Sequence, residues 1–240
     1  MRSGMKQWRR NWRAELEELI CCSSSAAGRG PDPEKRQAIL KAASELFLAD
    51  GPDRTSMDRI ARRAGVSKQT VYAHFNSKER LYRAVIAQRL AAYFPESPLD
   101  IAVGHDFKVT LQEIGERIMR LVFSPEAVGM VRRLIEAAPR EPRLATLFFE
   151  EGVDRLEDAL VQVFSRAIAA GHFPDADPQL AARRFDVLLL DQWYLRALLD
   201  QPVDLTGESI SRHVARAVRD LLALARAGRL IAQDDEEESS

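Results

Sequence analysis

The sequence predicts an all-α fold, and three observations support that prediction. From about residue 33 to residue 227, apolar residues recur at spacings of three and four, the period of helices with one buried face. The C-terminal half shows no stretch with the period of two that a half-buried strand needs. Hydrophobic residues make up 46% and charged residues 30% of the 240 residues, which is ordinary for a helical protein with a substantial core. We therefore expect about nine or ten helices.

Residues 1–30 differ from the rest of the chain, and we expect a flexible basic extension. Trp8, Trp12 and Leu16 fall near helical spacing, and a linker rich in Ser and Gly follows Cys22. Three roles stay open: a mobile tail or an upstream start codon, a basic arm that adds DNA contacts, or a segment that packs on the body or a partner. The adjacent Cys21 and Cys22 have neither disulfide nor metal-site spacing, which favours a reducing compartment and leaves a redox or inter-chain role as the alternative.

The first domain helix is predicted over about residues 33–49, between Asp32-Pro33 at its start and Gly51-Pro52 at its end. Two short helices joined by a tight turn are predicted next. Thr55 is placed to cap the first of them, because its hydroxyl can accept a hydrogen bond from a free backbone N–H. Gly65 supplies the backbone freedom of the turn, and Ser67 caps the second helix.

The second short helix has one apolar face and one polar face. Val71 and Phe75 are four residues apart and point to the core, so the other side chains face outward. A short polar helix that is braced by another helix can enter the major groove of DNA. Charge agrees, because residues 29–83 hold twelve Lys and Arg against seven Asp and Glu, a net +5, which leaves about −6 for the rest of a chain of net charge −1. We expect this segment to bind double-stranded DNA.

Several motifs in this segment resemble the helix-turn-helix signature of the tetracycline-repressor (TetR-like) family. They are Gly65-Val66-Ser67-Lys68, Thr70-Val71-Tyr72, His74-Phe75 and Ser77-Lys78-Glu79, preceded by Ile39-Leu40, Ala42-Ala43, Leu46-Phe47 and Gly51. The resemblance covers about residues 33–86, roughly a quarter of the chain. Gln69 departs from the pattern, since many relatives carry Gly there, and its amide can bond an adenine edge.

The resemblance implies a recognition helix. Lys68 could contact guanine, Gln69 adenine and Thr70 a thymine methyl, while Tyr72 and His74 would lie at the DNA backbone. Arg62 and Arg63 are further candidates for phosphate contacts. The residues that we expect to bind DNA are Thr55, Ser67, Lys68, Gln69, Thr70, Tyr72, His74 and Lys78.

Helices are predicted for most of the remaining chain. They cover about residues 78–93, 107–122, 125–135, 144–168, 178–200 and 206–227, with a break near Gly152 and a loop over 99–104. We expect a helix-turn-helix domain over 31–83, a helical effector-binding and dimerisation domain over 84–230, and a disordered acidic tail over 231–240. No apolar run has the length of a membrane span, and acidic residues interrupt any N-terminal signal, so we expect a cytoplasmic protein.

Family members usually act as dimers that sense a small molecule. The candidate effector-pocket residues are Met119, Phe123, Met130, Leu134, Phe148 and Phe149. The candidate dimer-interface residues, on the last two large helices, are Phe185, Leu189, Trp193, Val214, Val218 and Leu221. For both sets, ordinary burial inside one protomer is the alternative.

Enzyme signatures are missing from the sequence, so we expect neither catalysis nor a metal or cofactor. The four His residues lie on separate segments without metal-ligand spacing, and there is no nucleophile elbow or dinucleotide fingerprint. The expected function is that of a TetR-like regulator. It would be a homodimeric repressor that a small hydrophobic or amphipathic effector releases from a palindromic operator. The alternative is a constitutive DNA-binding regulator, or an activator, without an effector.

Overall fold

A computed structural model describes residues 32–94 and 106–231. Within these ranges the chain forms ten α-helices, one π-helical turn and no strand, which confirms the all-α prediction. The elements are α1 (Pro33–Asp50), α2 (Met57–Ala64), α3 (Lys68–Phe75), α4 (Lys78–Tyr93), α5 (Phe107–Val122), α6 (Pro125–Ala137), α7 (Pro142–Phe148), the π turn (Phe149–Val153), α8 (Asp154–Ala169), α9 (Pro178–Leu198) and α10 (Gly207–Arg226). The predictions for the N-terminal extension, the 99–104 loop and residues 232–240 lie outside the described residues.

The chain divides into two compact units. Of the described residues, 32–94 and 124–154 form the first unit, and 106–123 and 155–231 form the second unit. The first unit therefore contains α6, α7 and the π turn as well as the predicted DNA-binding helices. This division differs from a boundary after residue 83, because side chains of α6 and α7 complete the core beneath α1–α4.

The core of the first unit explains why the short helices α2 and α3 are held in place. Val71 and Phe75 of α3 are buried beside Ile60 of α2. Phe47 of α1 packs edge-on against Tyr82 of α4, with ring centroids 5.6 Å apart. Burial of each large apolar side chain contributes about 1.5–3 kcal/mol, so eight-residue helices that are marginal in isolation become stable here.

Helix α6 lies against α1, and Gly129 allows the close approach. A Cβ atom at this position would lie 2.5 Å from Cδ1 of Leu48. Arg133, one turn further along α6, donates from Nε to the carbonyl oxygen of Leu48 at 3.4 Å. The packing of α6 on α1 therefore depends on a residue without a side chain at position 129.

The second unit is built from α5, α8, α9 and α10. A Cβ on Gly115 of α5 would lie 2.6 Å from Cγ1 of Val214 and 3.2 Å from the ring of Phe185, so three helices meet at this glycine. Helix α9 is interrupted at Asp191, where φ is 42° and ψ is −158°. Across both units, no described helix combines the length and the apolar character that crossing a membrane requires.

Candidate nucleic-acid interface

Helix α2 begins at Met57, and its cap differs from the prediction. Ser56 is the N-cap, and its hydroxyl accepts a hydrogen bond from the backbone N–H of Arg59 at 3.3 Å. Thr55, predicted to be the cap, is only 2% exposed, and its hydroxyl donates to the carbonyl oxygen of Gly51 at 2.8 Å. The cap prediction for Thr55 is therefore wrong. Its hydroxyl closes the turn after α1, and this contact turns it away from the surface.

The turn between α2 and α3 has the predicted chemistry. Gly65 adopts φ 67° and ψ 30°, a left-handed conformation that glycine takes without steric cost. The next residue, Val66, donates its backbone N–H to the carbonyl oxygen of Ala61 at 3.0 Å. Ser67 caps α3, as predicted, by accepting from the backbone N–H of Thr70 at 3.1 Å. The two hydroxyl oxygens of Ser67 and Thr70 are also 2.8 Å apart.

The buried face of α3 is held from below by α1. Arg36 is buried, and its guanidinium carbon lies 4.2 Å from the centroid of the Phe75 ring. Its Nη1 donates to the carbonyl oxygen of His74 at 3.3 Å, which binds one of the last carbonyls of α3. The end of the short helix is thus fixed by a cation–π contact and a hydrogen bond.

The opposite face of α3 is open to solvent. Lys68, Gln69 and Tyr72 are exposed, whereas Thr70 and His74 are part-buried. Burial, together with the charge of Arg36, lowers the pKa of His74, so this ring is neutral near pH 7. The predicted recognition residues therefore do lie on one side of one helix, and their polar groups differ in accessibility.

The basic residues around this face are mostly engaged with carboxylates. Lys68 Nζ lies 2.9 Å from Oδ1 of Asp58, and both side chains are more than half exposed. The hydrogen bond and the charge of Asp58 raise the pKa of Lys68. Arg63 donates from Nε and Nη2 to Oε2 of Glu45, at 2.9 and 2.6 Å. Arg62 is exposed at the surface.

Lys78 has a more structural position than the sequence indicated. Its Nζ lies 3.8 Å from Oε2 of Glu141 and donates to the carbonyl oxygen of Asp53 at 3.4 Å. Asp53 in turn accepts from Arg140 at 2.8 Å, which lowers the pKa of Asp53. Lys78 therefore connects the start of α4 to the turn before α7, and part of its side chain stays exposed.

Asp58 is the residue at this surface that the sequence reasoning missed. An acidic residue in the first turn of a helix is common because it complements the helix dipole, so its presence carried no functional signal. Asp58 and Lys68 are ten residues apart and meet only because the turn at Gly65 brings the two helix starts together. Local spacing rules do not reach across such a turn.

The six candidate effector-pocket residues are divided between the two units. Met130 and Leu134 belong to the buried core of the first unit, and Phe148 packs against that core. Phe149, in the π turn, is 53% exposed. In the second unit Met119 and Phe123 are buried. The ring of Phe123 lies edge-on to Trp193 and Tyr194, with centroid distances of 6.5 and 5.9 Å.

The predicted dimer-interface residues need a correction. Five of the six are completely buried within one protomer, and these are Phe185, Leu189, Val214, Val218 and Leu221. A side chain without exposed area offers nothing to a second chain, so assigning these five to an interface is wrong. Trp193 is part-exposed and stacks on His213 at a centroid distance of 4.3 Å. The apolar spacing marked the seam between α5, α9 and α10 instead.

Comparison with known proteins establishes the class. Residues 39–85 match the tetR family of bacterial regulatory proteins, and residues 109–226 match the C-terminal domain of AefR-like transcriptional repressors. The HTH-type transcriptional regulator TtgW of Pseudomonas putida is 48% identical over 136 residues, which are 55% of this chain and 88% of TtgW. The chain belongs to the TetR family of DNA-binding transcriptional regulators.

Other similar proteins agree with this class. The HTH-type transcriptional regulator SrpR of Pseudomonas putida is 31% identical over 59% of this chain, and the matched part is 64% of SrpR, just under two thirds of its length. Among solved structures, a TetR-family regulator from Mesorhizobium loti MAFF303099 superposes with a TM-score of 0.70 at 28% identity, covering 82% of this chain and 98% of that one. The flavonoid-responsive regulator FrrA superposes with a TM-score of 0.66 at 31% identity, over 80% and 97% of the two chains.

Proposed function

We propose that this protein is a homodimeric cytoplasmic repressor that leaves a palindromic operator when a small hydrophobic or amphipathic molecule binds to it. The exposed polar face of α3 carries the proposal. Lys68, Gln69 and Tyr72 point to solvent from a helix whose opposite face is fully packed. Such a helix can enter the major groove without disturbing the core.

The proposed base contacts come from Lys68, Gln69 and Thr70. Gln69 suits an adenine edge, because its amide can donate and accept at the same time. Tyr72 and His74 are proposed to lie at the DNA backbone, and the neutral ring of His74 would act there as a hydrogen-bonding group. Ser67 and Lys78 are proposed as phosphate contacts at the starts of α3 and α4. The buried hydroxyl of Thr55 is left out of this set.

A homodimer is proposed because one such helix contacts only a few base pairs. Two copies related by a two-fold axis would read both halves of a palindrome, and the second contact would benefit from a high effective concentration. Helix α9 has the apolar surface for this. Val187, Leu195 and Leu199 are each 60% exposed or more, at 62%, 60% and 63%. They take the place of the buried residues in our proposed interface.

The proposed response to a small molecule is supported by the relatives. FrrA, which matches at 31% identity over 80% of the chain, is described as flavonoid-responsive. Met119 and Phe123 of the second unit and Met130, Leu134, Phe148 and Phe149 of the first unit remain the proposed pocket residues. A thermal-shift screen of hydrophobic and amphipathic compounds tests this, because a ligand that binds only the folded state raises the melting temperature.

The decisive experiment is selection of bound fragments from random and genomic duplex DNA by the full-length protein. We expect an enriched sequence with two inverted half-sites, and a dimer in sedimentation measurements. Gln69→Ala should then relax the preference at particular bases by about 1–3 kcal/mol if its contact is bidentate. Gln179→Ala, an equivalent change at an exposed position of α9, is the matched control. Failure to enrich any duplex at low salt would contradict the proposal.

A further inference from the structure

We propose that Asp58 is a specificity-determining residue of the DNA-binding surface. In this view Asp58 holds Lys68 and keeps its charge from attracting DNA of any sequence, so that base contacts decide where the protein binds. The inference rests on the proposed role of α3 in DNA binding. It concerns one ion pair, Lys68 Nζ to Asp58 Oδ1 at 2.9 Å.

The positions of the two residues explain why they pair. Lys68 is the first residue of α3, and Asp58 is the second residue of α2. A cation at the start of a helix is disfavoured by the helix dipole, whereas an anion there is favoured. The carboxylate of Asp58 therefore offsets an unfavourable position for the ammonium of Lys68. The pair connects the two helices of the motif at the end where both begin.

Stability does not account for this pair. The Lys68 and Asp58 side chains are 59% and 51% exposed, and exposed pairs contribute little to folding because water already solvates both charges. Its larger consequence is electrostatic. On the predicted DNA-binding face, Lys68 is the basic residue of α3 itself, and Asp58 places a negative charge beside it.

The same arrangement recurs on α2, where it concerns side chains that flank α3. Arg59 lies 2.8 Å from Oδ2 of Asp50, and Arg63 lies 2.6 Å from Oε2 of Glu45. In both pairs the acidic partner comes from α1. Of these three pairs, the Asp58 pair alone reaches a residue of α3, so it is the one that controls a charge that would enter the groove.

Pairing of Lys68 should affect specific and non-specific binding differently. A free ammonium on α3 can reach a phosphate in almost every register of a non-specific complex, and each such contact releases about one counterion. In a specific complex the register is fixed by base contacts such as the one proposed for Gln69, so Lys68 gains less from being released. Removing the charge of Asp58 should therefore favour non-specific binding over specific binding.

The test compares wild type, Asp58→Asn, Lys68→Ala and the double variant. Each is titrated with the duplex that the wild type selects and with a shuffled duplex of equal composition, from about 50 to 200 mM salt. We expect Asp58→Asn to tighten binding of the shuffled duplex about 5-fold and to steepen its salt dependence by about 0.9 in log–log slope. Binding of the selected duplex should tighten less than about 2-fold, so discrimination falls. In the double variant the gain should disappear.

The control variant is Glu208→Gln, which removes one negative charge from the exposed Glu208–Arg212 pair of α10. It should change neither duplex affinity. Equal tightening of both duplexes by Asp58→Asn, no change in either, or a gain that persists without Lys68 would overturn the inference. These outcomes differ from failure of the proposed function, in which the wild type itself would select no duplex.

Discussion

Each compact unit encloses a carboxylate among its helices, but the two units surround that carboxylate differently. In the first unit Glu151 is 2% exposed, and its Oε1 lies 2.7 Å from Nη1 of Arg83. In the second unit burial and the neighbouring charge of Glu157 raise the pKa of Asp186 to about 6. No hydrogen bond or ion pair to the Asp186 carboxylate is found within residues 32–94 and 106–231.

The difference shows which charge contributes to architecture and which one costs stability. A buried charge is tolerated when a partner of opposite charge faces it, and it is unfavourable otherwise. Arg83 of α4 faces two consecutive residues of the π turn, because its Nη2 also lies 2.5 Å from Oε2 of Glu150. Beside this pair, a Cβ on Gly152 would lie 3.5 Å from Ile86 Cγ2, so the backbone of the turn approaches α4 closely. Within the described part of the second unit, Asp186 has no such arrangement.

The largest expected effect comes from breaking the favourable member of this comparison. Arg83→Met removes the guanidinium that faces Glu150 and Glu151, and we expect a loss of about 3 kcal/mol in the free energy of unfolding. Urea unfolding followed by circular dichroism measures it. Arg80→Met, on the exposed face of the same helix, should change stability by less than about 0.5 kcal/mol. Equal effects of the two substitutions would mean that the Arg83 pairs do not stabilise the unit.

The second prediction removes the unfavourable charge. Because the folded-state pKa of Asp186, about 6, lies above the ordinary value of 3.8, the folded state binds its proton more tightly than the unfolded state. Stability is therefore retained below about pH 4 and is lost as the pH rises through 6. Asp186→Asn keeps the neutral form at every pH. It should stabilise the protein by about 1–2 kcal/mol at pH 7.5 and by almost nothing at pH 4.

Thermal or urea unfolding at the two pH values checks this dependence. Glu113→Gln, an exchange of a carboxyl for an amide on the exposed side of α5, controls for the loss of one charge and should give no pH-dependent gain. Destabilisation of Asp186→Asn at pH 7.5 would show that the ionised carboxylate is stabilised in the folded protein. In that case the two units would not differ in the way proposed.

The helices themselves could be predicted from the sequence because their start signals are local. Ser67 caps α3, Ser124-Pro125 starts α6 and Asp177-Pro178 starts α9, each through side chains next to the backbone groups that they satisfy. The predicted break near Gly152 is also present, as the π turn. Choosing between Thr55 and Ser56 as a cap failed, since the choice depends on the carbonyl of Gly51, which only the fold brings within reach of Thr55.

The candidate site was predicted in outline and missed in its pairing. The outward side of α3 follows from the four-residue spacing of Val71 and Phe75, which identifies the buried side. The pairs Lys68–Asp58 and Arg83–Glu151 join residues that are distant in the sequence, and no periodicity encodes them. The interface prediction failed for a related reason. Apolar spacing identifies a buried face, but it does not distinguish a neighbouring helix of the same chain from a second copy.

The smallest expected effect adds an exposed pair to the comparison. Arg63 and Glu45 have good geometry, with two donors to one carboxylate oxygen at 2.9 and 2.6 Å, yet their side chains are 60% and 39% exposed. Glu45→Gln should therefore cost only about 0.2–1 kcal/mol in unfolding free energy. About 1 M salt should remove most of that difference, since the Debye length then falls to roughly 3 Å. A loss as large as that of Arg83→Met, or one insensitive to salt, would show that geometry rather than burial determines what these pairs contribute.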